Sequence, residues 1–78
     1  MRAIIRFSVD NETTGALNNK LNKVLTDAGF AKAQNTATYE RNGLQALGLG
    51  QILQDFWNTT HSHTAGGRLD HFWMYSDR

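Results

Sequence analysis

Four groups of residues in this chain have the chemical types that a site needs. His61-Ser62-His63 sets two imidazoles two positions apart, which on a strand would turn both to one face as metal ligands. A zinc site takes three or four protein ligands, and with no cysteine the others would have to be His71 or carboxylates. The stretch from Thr60 to Gly67 is polar and ends in glycine, so a solvated loop is the simpler expectation. Ser8 and Ser62 offer hydroxyls, yet no Gly-x-Ser-x-Gly turn is present to strain either into a nucleophile. The glycine-rich run from Gly43 to Gly50 lacks the lysine of a phosphate loop and reads as a softened entry to a helix. Finally, His71, Trp73 and Tyr75 alternate along the last apolar segment as Arg2 and Arg6 do along the first. Aromatic rings interleaved with arginine on a sheet can stack nucleobases while guanidinium groups meet phosphates. The same residue types concentrate at the centres of protein interfaces, and burial against a second copy is the stronger expectation for His71, Trp73 and Tyr75.

These residues depend on the elements that carry them. Met1 to Val9 alternates as a strand, with Ala3, Ile5, Phe7 and Val9 toward a core and Arg2, Ile4, Arg6 and Ser8 away from it. Asp10 to Thr14 is rich in short oxygen-bearing side chains that can cap a helix, so a helix is expected from Thr13 or Thr14. Leu17, Leu21, Val24, Leu25 and Ala28 lay one apolar stripe along it, and Gly29 ends it in a left-handed conformation. Phe30 to Arg41 is β-compatible and mostly polar, with Asn35-Thr36 as a turn or kink in a short hairpin and Asn42-Gly43 as a stronger turn. A second stripe through Leu44, Leu47, Leu49, Ile52, Leu53, Phe56 and Trp57 predicts a helix whose start is weakened by Gly43, Gly48 and Gly50 and whose firm part is 49–59. Arg68 to Ser76 is the last strand, with Phe72 and Met74 inward and His71, Trp73 and Tyr75 outward.

The order strand, helix, strand, strand, helix, strand predicts a single ferredoxin-like α+β domain, with an antiparallel sheet and both helices on one of its faces. Its core is expected from Phe7, Leu21, Leu25, Ile52, Phe56 and Phe72. The opposite face, carrying Arg2, Ile4, Arg6, His71, Trp73 and Tyr75, has no helix to cover it. A 78-residue domain buries only about 60% of its unfolded surface, so self-association would add to a marginal core. Eight Lys and Arg against seven Asp and Glu leave no bulk charge to drive nucleic-acid affinity, which would have to come from a local cluster. The first apolar run is short and interrupted by Arg6, so no signal peptide or membrane span is expected, and the absence of cysteine fits a cytoplasmic protein.

Gly29-Phe30, then Gln34-Asn35-Thr36, then Tyr39-Glu40, set between a helix and an apolar last strand, resemble the small endoribonuclease-like family that includes virulence-associated protein D. The same order resembles the second CRISPR-associated protein. The resemblance runs from Met1 to about Tyr75. It implies a ferredoxin-like domain that pairs through its sheets into a homodimer, some members cleaving RNA or DNA with a metal ion near an aspartate at the end of the first strand. That aspartate falls here at Ser8. The nearest carboxylate, Asp10, lies two residues on and therefore on the same strand face if the strand extends that far. Capping the first helix is the more ordinary role for Asp10. A pair of Asp10 carboxylates brought together by a two-fold axis would suit Mg2+, which prefers oxygen ligands.

The resulting expectation is a small nucleic-acid-associated homodimer, with metal-dependent endoribonuclease activity of toxin or CRISPR-adaptation type as its enzymatic form. Asp10 would then bind the metal, Ser8 would neighbour it at the catalytic centre, and Arg6 and Arg41 would contact phosphate. The competing expectation is a catalytically inert interaction module, such as a phage or mobile-element inhibitor of a host protein.

Overall fold

The computed structural model of the chain describes residues 1–10, 15–33, 38–64 and 66–77. The elements follow the expected order: β1 (Ala3–Asp10), α1 (Ala16–Asp27), β2 (Ala31–Lys32), β3 (Thr38–Arg41), α2 (Ala46–Ser62) and β4 (Arg68–Ser76). The strands form one antiparallel sheet in the order β2-β3-β1-β4, so each helical connection carries the chain past one intervening strand, as in a ferredoxin-like α+β domain. No helix of the described residues is long and apolar enough to cross a membrane.

Strand β1 sits at the centre and sorts its residues by parity. Ala3, Ile5 and Phe7 are buried under the helices, while Arg6 and Ser8 are exposed on the other face. Leu17, Leu21 and Leu25 of α1 and Leu49, Ile52 and Phe56 of α2 supply the facing layer. Aromatic rings tie the layers together. Phe7 stacks on Tyr39 at 5.6 Å and meets Phe56 edge-on at 5.4 Å, and Phe56 continues to Phe72 at 5.2 Å. Phe72 lies nearer the rim than the other expected core residues, half-buried beneath Trp57 at 4.8 Å.

Tyr39 is buried as well, although its segment reads as polar. Its hydroxyl donates to Asn22 Oδ1 at 2.8 Å, so the ring fills the core while its polar tip is satisfied. Loss of solvent pushes the phenol above its ordinary value of 10.0.

Helix α1 ends as expected at Gly29, whose φ of 87° lets the Phe30 amide reach Leu25 O at 2.9 Å and the Gly29 amide reach Thr26 O at 3.0 Å. This pair of bonds satisfies carbonyls that a helix end otherwise leaves open, and it drives Phe30 into the core beside Leu25. The start of α1 follows Gly15, and the expected cap at Thr13 or Thr14 lies outside the described residues, as does the Asn35-Thr36 turn.

Helix α2 is longer than the expected 49–59 at both ends. Gly48 and Gly50 are helical despite their low propensity, because Leu49 and Ile52 anchor that turn in the core. At the other end α2 runs on through 60–62, where a loop was expected, and Thr60 and Ser62 turn their hydroxyls back onto Phe56 O and Asn58 O at 3.0 and 2.7 Å, the local bonds these side chains make within a helix.

Two outcomes follow from this packing. A Cβ built on Gly50 meets nothing within 4 Å, so Gly50→Ala should raise the unfolding free energy by about 1 kcal/mol in urea titration. The Tyr39 phenol has its folded-state value above its unfolded one, so its stabilising contribution is whole below about pH 10 and is lost as the pH rises toward the folded value. Unfolding titrations across that range should show a steeper alkaline decline for the wild type than for Tyr39→Phe.

Candidate functional site: the helix-free sheet face

The face of the sheet away from the helices is laid out by the strand register. Ile4, Arg6 and Ser8 of β1 stand beside Tyr75, Trp73 and His71 of β4, and Ile4 and Arg6 have Glu40 and Thr38 on their other side. Trp73 and Tyr75 are 51% and 44% exposed, their rings nearly parallel with centroids 6.4 Å apart. Arg6, Phe7, Ser8, His71 and Trp73 line a concavity of about 430 Å³ on this side of the sheet.

The charges here are unequal in their freedom. Arg2 Nη2 is held 3.4 Å from Asp77 Oδ2, and its backbone amide donates to Asp77 Oδ1 at 3.2 Å, so its charge is largely answered within the chain. Among the described residues Arg6 makes no such ion pair, which leaves an exposed guanidinium beside the Trp73 ring.

A β-bulge shapes the concavity's lower end. Ser8 pairs with His71 and Val9 with Leu69, so Asp70 is an extra residue in β4. The insertion keeps Leu69 on the helix side with Phe72 and turns Asp70 and His71 outward together. Asp70 Oδ2 lies 2.7 Å from His71 Nδ1, and Ser8 Oγ lies 3.5 Å from the same nitrogen. A serine nucleophile needs its base at one imidazole nitrogen and the orienting carboxylate at the other. Both partners here share Nδ1, so these residues form a polar cluster and not a proton relay.

The expected site residues divide between the two faces. Strand β1 extends to Asp10, which pairs in register with Arg68 and shares the open face with Arg6 and Ser8. Arg41 stands opposite Ala3 and therefore faces the helices, where its Nη1 donates to Ala28 O and its side chain lies against Gly29. It completes the carbonyl end of α1, the location that favours a cation, and it cannot share a ligand with Arg6 across the sheet. His61 and Ser62 belong to α2, so His61 and His63 do not take the common face that a strand would give them. His63 instead contacts Lys20 Nζ and Gly66 O. No group of three or more His, Cys, Asp or Glu among the described residues could hold a metal ion, at Asp10 or elsewhere.

Asp70 is the site residue that the sequence reading missed. Its signal was the spacing of Leu69, Phe72 and Met74, since a three-residue step in a two-residue pattern marks an inserted position.

No protein-family model, curated protein or solved structure matches the chain.

The two arginines should separate in a thermal or chemical melt. Arg41→Ala loses the bond to Ala28 O together with its packing and should cost about 1–2 kcal/mol, whereas Arg6→Ala should stay within about 0.5 kcal/mol of wild type.

Proposed function

We propose that this protein is a small cytoplasmic homodimer that binds single-stranded nucleic acid on the helix-free face of its sheet. The observation that carries this reading is the exposed, near-parallel pair Trp73 and Tyr75 with the exposed guanidinium of Arg6 beside it, which makes no ion pair among the described residues. Every base has a π-face, so rings in this position stack bases with little sequence preference, and an adjacent arginine meets the phosphate between them. The His71 and Ser8 polar groups at the end of the concavity add hydrogen-bonding capacity for sugar or phosphate. The near-neutral charge of the chain, +1, means that stacking and not bulk electrostatics supplies most of the affinity.

The reading concerns binding alone. Among the described residues Asp10 has no cluster of further donors around it, and no cleavage step is derived from them.

The test uses a poly-pyrimidine single-stranded oligonucleotide and tryptophan fluorescence in a Trp57→Phe background, which leaves Trp73 as the reporter. Quenching should saturate at micromolar concentrations, and its salt dependence should be shallow, with a slope of about −0.7 to −1.4 for one or two neutralised phosphates. Tyr75→Ala should weaken binding by about 1–3 kcal/mol, and Arg6→Ala should flatten the salt slope. A signal that stays unquenched to millimolar oligonucleotide would leave this face to a protein partner.

A further inference from the structure

Strand β4 ends the sheet, and no described strand lies on its outer side. The backbone parity of this edge can be read from one bond. The Asp77 amide donates to Arg2 O at 3.0 Å, which makes Arg2 and Asp77 a hydrogen-bonded pair. Alternation then turns the backbone groups of Tyr75 and Trp73 inward to Ile4 and Arg6, and those of Phe72, Met74 and Ser76 outward. An edge with free backbone groups is a template for another strand, and proteins usually guard it with charge, proline or a bulge. The guards on β4 are confined to its first half, where Arg68, Asp70 and the bulge lie. From Phe72 to Ser76 the edge has no charge, no proline and a regular register.

We propose that this half-edge pairs antiparallel with the same segment of a second copy of the chain, about a two-fold axis at Met74. The register follows from charge and parity. An axis at Met74 keeps Arg68 and Asp70 outside the overlap, whereas an axis at Phe72 would set Asp70 against the partner's Met74. It also makes Met74 exchange hydrogen bonds with the partner's Met74, and Phe72 with the partner's Ser76, all through groups that already point outward. Large Phe72 meets small Ser76, and the adaptable methionines meet at the axis. On the open face Trp73 falls opposite the partner's Tyr75 as a non-hydrogen-bonded pair, where side chains approach most closely and aromatic pairs stabilise a sheet.

This seam rests on the nucleic-acid reading only for its use. It joins the two open faces into one surface, with the rings of both copies between their two Arg6 side chains, so dimerisation and ligand binding do not compete for Trp73 and Tyr75. A strand seam of this length lies at the small end of protein interfaces, so the dimer should be reversible and micromolar.

Sedimentation equilibrium of the full chain from micromolar to millimolar concentration should show monomer and dimer. Ser76→Pro removes an outward amide while leaving the β1–β4 ladder whole, and it should weaken dimerisation at least about tenfold. The register is tested by oxidising a mixture of Trp73→Cys and Tyr75→Cys chains, since the protein has no other cysteine. The mixed disulfide should dominate over either self-linked product. A wild type that stays monomeric at millimolar concentration, a Ser76→Pro dimer of unchanged strength, or equal amounts of mixed and self-linked products would each overturn the seam. Oligonucleotide quenching by a monomeric wild type would leave the binding reading standing without the seam, and a dimer that fails to quench would do the reverse.

Discussion

Two helices cover one face of a sheet that has two. Everything distinctive about this chain follows from that imbalance, because strand β1 must serve a dry layer and a wet one with alternate residues. Ala3, Ile5 and Phe7 go under the helices, and Ile4, Arg6 and Ser8 go to the other side with Tyr75, Trp73 and His71 of β4. A slip of one residue would exchange the two sets and bury arginine in place of isoleucine. The core and the candidate site are thus specified by the same register, and neither can change without the other.

The dry layer is small, and its cohesion depends on rings. Tyr39, Phe7, Phe56, Phe72 and Trp57 run in unbroken contact from the middle of the sheet to its β4 edge. Aromatic side chains bury large areas for few rotatable bonds, which suits a domain with little interior to spare. The chain of contacts also stiffens β4 from beneath. The strand that displays Trp73 and Tyr75 to solvent is held through Phe72 by the same helix that closes the core.

A single inserted residue separates the display half of β4 from its guarded half. Without Asp70 the strand would alternate regularly, and no bulge would set the Asp70 carboxylate beside His71. With it, the charged and kinked half lies toward the loop from α2, and the flat, uncharged half lies toward Ser76. The bulge therefore borders the concavity at Ser8 and His71 and leaves the free edge beyond it, from Phe72 to Ser76.

The elements were legible in the sequence because local patterns encode them. The two-residue alternation of β1, the leucine spacing of α1 and the glycine at position 29 each specify a conformation through contacts within a few residues. The ferredoxin-like order and the exposure of Arg6, Trp73 and Tyr75 follow from those patterns plus the rule that helices cross on one face. Other features depended on partners distant in the chain. Tyr39 is buried because Asn22 answers its hydroxyl across the helix-sheet layer, and Arg41 serves the end of α1 because strand pairing opposite Ala3 turns it to the helix side. The run of α2 past Thr59 continues a helix whose phase Phe56 fixes by packing in the core, a contact made with the sheet and not within 60–62. Local periodicity determines which face a residue takes within its own element. Only the packing of elements decides what that face meets, because burial and charge pairing are properties of two segments and not of one.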